Sequence, residues 1–152
     1  MELVDKKYHD FKGNTDSEVF FHLIVQEVKS LGNSVEGIRS AIEKIVAKGI
    51  GFSSLNFIAS DGKRLYALRY ATTNLDYYTL YYLERPREDF ELKKLSKETR
   101  QLIAMKLARG ERAVLVASEP MSDELYWKPI LNKHMVAAAS PSLSIELITV
   151  GV

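Results

Sequence analysis

The residues best placed to do chemistry lie close to the start of the chain, in Thr15-Asp16-Ser17-Glu18. Two acids beside two hydroxyls could take an ammonium group or take part in acid–base work. The same four residues also read as a capping box. In that reading the Thr15 hydroxyl accepts from the third helical N–H, Glu18 reaches back to the N–H of Thr15, and the first-turn carboxylates favour the positive end of the helix dipole. Residue types alone leave both readings standing.

The other candidates are weaker. Ser118-Glu119 and Ser122-Asp123-Glu124 pair hydroxyls with acids, but no Gly-x-Ser-x-Gly elbow surrounds either serine and no histidine adjoins them, so they read as turn residues. His9, His22 and His134 are far apart and lack the two-histidine helical spacing of a zinc site, and His22 falls on a polar helix stripe. The chain has no cysteine, which removes disulfides, thiolate metal sites and any thiol nucleophile of its own. No metal centre and no cofactor are expected. Tyr126-Trp127, beside Pro129, reads as a loop anchor rather than a ligand-stacking pair.

These residues must be held by a domain of ordinary soluble composition, 152 residues with 46% hydrophobic and 27% charged. A chain of that length buries roughly 68–70% of its unfolded surface and needs no disulfide or metal staple. Lys and Arg number 21 against 20 Asp and Glu, so no net field draws a polyanion or an anionic membrane surface, and nucleic acid is not expected as a partner. The longest apolar runs fall far short of the ~20 residues of a spanning helix, and the first residues are charged rather than signal-like. A cytoplasmic protein without membrane contact is the expectation.

Hydrophobic periodicity supplies the scaffold. After ten polar, mixed residues, a helix is predicted from the Thr15 cap to about Ser30. Phe20, Ile24, Val28 and Leu31 form its apolar stripe, and Glu18, His22, Gln26 and Lys29 its polar one. Asn33-Ser34-Val35-Glu36 starts a second helix, with Val35, Ile38, Ile42, Ile45 and Val46 inward and Lys48-Gly49 at its end. Asp61-Gly62 predicts a two-residue type I′ hairpin in which Ile58 opposes Leu65, Phe57 opposes Tyr66 and Leu55 opposes Leu68, with both faces apolar. A strand over 77–83 closed by Arg85-Pro86 follows. Ser96 then caps a helix through Leu102, Ile103 and Leu107 to Arg109-Gly110, and a buried strand follows at 113–117. Strands at 133–139 and 143–150, separated by Ser140-Pro141-Ser142, complete the chain. Helix, helix, three strands, helix, three strands, joined by hairpins rather than repeated crossovers, predicts one α+β domain over residues 1–152 with mainly antiparallel sheet.

Three strings taken in order carry a resemblance: Gly13-Asn14-Thr15-Asp16-Ser17-Glu18-Val19-Phe20-Phe21, then Asn56-Phe57-Ile58-Ala59-Ser60-Asp61-Gly62-Lys63-Arg64-Leu65-Tyr66-Ala67, then Val114-Leu115-Val116-Ala117-Ser118-Glu119-Pro120-Met121. Each alone is common. Their order and spacing resemble the later part of class II glutamine amidotransferases, from about Gly13 onward, and most of all the stand-alone amidohydrolases acting on glutamine or γ-glutamyl substrates. The resemblance implies the N-terminal nucleophile hydrolase architecture, two stacked antiparallel sheets between helical layers in an αββα sandwich. It also implies a nucleophilic cysteine at the first mature residue, whose own α-amino group is the general base. Asp16 matches the family aspartate that binds the α-ammonium of glutamine.

Where the family places that cysteine, its oxyanion hole and its carboxylate contacts, all ahead of the Thr-Asp-Ser-Glu string, this sequence has only about a dozen residues and no cysteine. Two expectations follow. One is a glutaminase-type subunit or fragment that binds the substrate amino group and is inactive until a separate cysteine-bearing N-terminal half joins it. The other is a non-catalytic binding module of the same descent that self-associates as a homo-oligomer. An unrelated hydrolase using Ser118 or Ser122 is the third and least supported reading.

Overall fold

In a computed structural model of the protein, described here for residues 3–85, 96–109, 112–121, 126–139 and 143–151, the chain is a mixed α+β fold with two antiparallel sheets and three helices. It forms two compact units, Met1–Ser53 with Thr149–Val152, and Ser54–Ile148.

The first unit is built on α1 (Asp16–Leu31) and α2 (Ser34–Ala47), joined by only Gly32 and Asn33. Both predicted caps are present. The Thr15 hydroxyl accepts from Glu18 N at 3.2 Å, and the Asn33 side chain accepts from Val35 N and Glu36 N at 2.9 and 3.2 Å. Gly32 ends α1 in the left-handed conformation (φ 66°), where a side chain would be strained. Leu23, Ile24, Ile38, Ala41, Ile42 and Ile45 are buried. The helices approach so closely at Gly37 that a Cβ there would lie 2.6 Å from the Val28 Cα.

Three expectations for this unit need correction. The first residues are not simply irregular: Lys6–Tyr8 form a 3-10 turn and Val4 is buried. Glu18 does not bond the Thr15 N–H, and its two oxygens accept instead from Lys12 N (2.6 Å) and Gly13 N (2.8 Å). The buried face of α1 is also rotated from the predicted stripe. Gln26, assigned to the polar face, is buried together with Glu27, whereas Leu31 is half exposed.

Glu27 is tolerated inside because it is fully partnered. Lys44 Nζ donates to its Oε1 at 2.6 Å, Ser40 Oγ to its Oε2 at 2.8 Å, and Gln26 Nε2 to its Oε1 at 3.0 Å. Gln26 Oε1 in turn accepts from Asp5 N at 2.7 Å. Burial on its own raises the Glu27 carboxyl. The hydrogen bonds from Lys44, Gln26 and Ser40, together with the Lys44 charge, outweigh it and hold the group below its ordinary range.

The second unit holds β1 (Phe57–Ser60), β2 (Arg64–Arg69), β3 (Tyr81–Arg85), α3 (Lys97–Ala108), β4 (Ala113–Ala117), β5 (Lys128–Pro129), β6 (His134–Ala139) and nearly all of β7 (Ser144–Thr149). One sheet has the order β1-β2-β6-β7 and the other β4-β3-β5. Ala67 and Val136 from the first sheet meet Leu80, Tyr82 and Ile130, with Leu65, Ile145, Val114 and Val116 packed around them. This is the core between two stacked sheets.

The β1–β2 hairpin is displaced by two residues from the predicted register: Phe57 faces Leu68, Ile58 faces Ala67, and Ser60 faces Leu65. The cause is Asp61. Its Oδ1 accepts from Lys63 N and Arg64 N at 2.9 and 2.8 Å, so the turn falls on Gly62 and Lys63, with positive φ at Gly62 alone. A type I′ turn at Asp61-Gly62 is thereby excluded. A shift of two preserves which face each side chain takes, and Tyr66, Ala67 and Leu68 are all buried, as a sheet covered on both faces requires.

The third strand begins at Tyr81, not Tyr77. Tyr77 N and Tyr78 N both donate to Asn74 O, which holds them in a turn. The β4 strand is an edge with Leu115 41% exposed rather than a buried strand, and β5 is a fourth strand after α3 that the sequence did not suggest. Ser122-Asp123-Glu124, Pro86, Gly110 and Ser140-Pro141-Ser142 lie outside the described residues.

The passage from β2 to β3 crosses between the sheets, and one guanidinium gathers two of its carbonyls together with that of Ile130, which follows β5. Arg69 donates to Leu75 O at 2.7 Å, Tyr78 O at 3.0 Å and Ile130 O at 2.9 Å. The Asn132 amide pairs with both Ala71 N (2.8 Å) and Ala71 O (3.0 Å), in the manner of a neighbouring strand. Among the described residues no helix is long and apolar enough to cross a membrane.

Two predictions concern the helical unit. Because the Glu27 carboxyl is lowered in the folded protein, its stabilisation is complete above the ordinary glutamate range, about pH 4.3, and is lost as the pH falls through the lower folded value. Glu27→Gln is expected to cost about 1–3 kcal/mol at pH 7 and to flatten the acid limb of the urea midpoint against pH; an unchanged acid limb rules the assignment out. Gly37→Ala, forced against the Val28 backbone, is expected to cost at least about 1–3 kcal/mol in chemical denaturation, and a variant as stable as the parent would show that the helices sit farther apart.

Candidate functional site

Asp16 is the first residue of α1, in the exposed turn that follows the segment 3–13. Its Oδ1 accepts from Ser17 N at 2.8 Å, with Ser17 Oγ at 3.5 Å. No described residue is hydrogen-bonded to Oδ2, so this oxygen is available to a ligand. A carboxylate so placed can accept a charge-assisted hydrogen bond from an ammonium group and thereby orient it.

The segment ahead of Asp16 is tied down along its length. Asp5 N bonds Gln26, the His9 ring lies 2.7 Å from Val4 O, and the Phe11 ring sits between His9 (5.1 Å) and His22 (4.6 Å, edge-on). Lys12 and Gly13 then hold Glu18. His22 is half-buried and also meets Phe21 edge-on, so it packs against aromatic rings where the sequence suggested a solvated histidine. The hydrogen bonds and the Phe11–His22 contact were missed because they join residues 5 to 21 apart across a turn, outside any helical or strand period. The one available signal was the presence of Val4 and Tyr8 in a stretch read as polar, with Phe11 directly after it.

The remaining candidates belong to the second unit. Ser118 and Glu119 lie in an exposed bend after β4, where the Ser118 carbonyl accepts from Thr79 Oγ1 at 2.7 Å. The His134 Nδ1 lies 2.8 Å from Asn132 O. Tyr126 and Trp127 are half-buried beside β5, as suits an anchor. Among the described residues no group of three or more His, Asp and Glu could hold a metal ion.

Comparison with solved structures finds a glutamine aminotransferase class-II domain protein from Silicibacter pomeroyi, with a TM-score of 0.65 and 22% identity over 99% of this chain and 59% of that one. At that identity the likeness establishes the fold, and the chain spans little more than half of the protein it matches. No curated protein matches the sequence. The family model for class-II glutamine amidotransferases matches residues 2–146. With nearly the whole sequence inside that model, and antiparallel sheets and helices in the arrangement of a solved relative, this chain belongs to the class-II glutamine amidotransferase family.

Proposed function

We propose that the chain is the substrate-amine-binding part of an N-terminal nucleophile hydrolase that releases ammonia from glutamine or a related γ-glutamyl amide, with Asp16 receiving the α-ammonium group. The observation that carries this reading is the position of the exposed Asp16 within a family-matched sequence, with its Oδ2 free of hydrogen bonds among the described residues. In a partly desolvated site such a charge-assisted bond fixes substrate direction as well as adding affinity.

Amide hydrolysis by this family's route needs a thiolate to attack the side-chain carbonyl, a base to take its proton, and donors for the oxyanion. None of the 152 residues is a cysteine, so in this proposal the nucleophile comes from residues outside this sequence, on the same or another polypeptide. The 59% coverage of the solved relative leaves room for such a segment. A second reading, a self-associating module without catalysis, draws support from Ile58 and Leu147, 52% and 58% exposed on the two edge strands of the four-stranded sheet. Sedimentation separates the two: a stable monomer across micromolar concentrations counts against self-association.

The 152-residue chain alone is expected to release no ammonia from L-glutamine above the uncatalysed rate, and to do so once a cysteine-bearing family N-terminal segment is supplied. In that reconstituted enzyme Asp16→Ala is expected to raise KM for glutamine about 10- to 100-fold, the range for losing a hydrogen bond to a charged group. Enzymatic ammonia release by the chain alone, or a KM indifferent to Asp16→Ala, would overturn the proposal.

A further inference from the structure

Glu18 is half-buried, and its carboxylate is fully engaged with the chain that precedes Asp16. One oxygen accepts from Lys12 N at 2.6 Å and the other from Gly13 N at 2.8 Å. Its own N–H is held by the Thr15 hydroxyl at 3.2 Å. These three bonds close a ring of residues 12–18 around Asp16, from the third position of a helix whose axis is already fixed. Gly13 completes the fit, since a Cβ there would stand 3.0 Å from Glu18 Oε2 and crowd the carboxylate. A simple capping box would have tied Glu18 to Thr15 N and left residues 10–14 to find their own path.

We infer that Glu18 is a positioning residue: it clamps the backbone of Lys12 and Gly13 so that Asp16 is held in one rotamer with Oδ2 left available to a ligand. This deepens the reading of Asp16 given above and rests on it for its catalytic consequence, but the clamp itself is a property of this chain. Two N–H groups converging on one carboxylate restrict the loop far more than either bond singly, because each fixes the carboxylate plane for the other. Asp16, with only Ser17 N and a long contact from Ser17 Oγ on its Oδ1, has no comparable restraint of its own. Its direction is therefore set by the ring that encloses it.

The test uses the 152-residue chain for conformation and the reconstituted enzyme for function. In NMR, amide exchange at Lys12 and Gly13 is expected to accelerate about tenfold or more in Glu18→Ala, the factor that corresponds to losing one charge-assisted bond. Asp16 side-chain couplings are expected to move from a single-rotamer value towards an average. Glu18→Gln, which keeps one acceptor oxygen and the fold, should lie between. With glutamine as substrate, Glu18→Ala should raise KM several-fold with kcat nearly constant, whereas mere loss of folded protein would lower apparent kcat and leave KM alone. Unchanged exchange, unchanged Asp16 couplings, a Glu18→Gln variant equal to wild type, or a fall in kcat without a KM change would each overturn the clamp. Should reconstitution yield no activity, the functional proposal fails, and the exchange and coupling data still decide the clamp.

Discussion

A carboxylate removed from water must find partners for its charge and lone pairs, and in the helical unit that requirement falls on Glu27. Its three donors, Lys44, Ser40 and Gln26, come from both helices, so they specify how α1 lies along α2 as apolar contacts alone would not. Leu and Ile side chains tolerate small slides past one another, whereas a hydrogen bond of 2.6–3.0 Å does not. Close packing at Gly37 is the steric counterpart of the same constraint. Such a network adds little net stability over an apolar core of similar volume, and its effect here is geometric: it selects one register for the helix pair.

From that point the effect travels along α1. Gln26 uses one end of its amide on Glu27 and the other on Asp5 N, so the segment 3–13 is secured beside the helix at its far end. Phe11, between His9 and His22, secures its middle. Glu18 secures its near end, next to Asp16. An exposed aspartate at a helix N-terminus is ordinarily free to sample rotamers. This one follows a segment fastened at three places, an arrangement suited to presenting a carboxylate in a defined direction.

The sheet unit meets the same accounting by other means. Its two sheets bury Ala67, Val136, Leu80, Tyr82 and Ile130 between them, and the chain that passes from one sheet to the other carries carbonyls with no strand partner. Arg69 takes two of them, at Leu75 and Tyr78, together with the Ile130 carbonyl that follows β5, and Asn132 pairs with the N–H and carbonyl of Ala71. Belonging to the class-II amidotransferase family is a statement about this scaffold. None of the 152 residues is a cysteine, so in the function proposed above the thiol comes from outside this sequence.

The elements governed by local rules were legible in the sequence. Thr15 and Asn33 cap because short polar side chains satisfy nearby N–H groups wherever the chain turns into a helix, and α1, α2, α3, β2, β4, β6 and β7 follow from periodicity to within a few residues. Asp16 stood out through the string around it. What the tertiary structure alone decided are the choices between locally equivalent partners. Asp61 moved the hairpin by two residues because its carboxylate preferred Lys63 N and Arg64 N. Asn74 held Tyr77 and Tyr78 out of the strand. Glu18 passed over the Thr15 N–H for two amides farther back, and Gln26 and Glu27 turned inward because Lys44 and Ser40 stood opposite them. Each outcome depends on which groups lie within about 3 Å once the chain has folded, and spacing along a sequence carries no record of that distance.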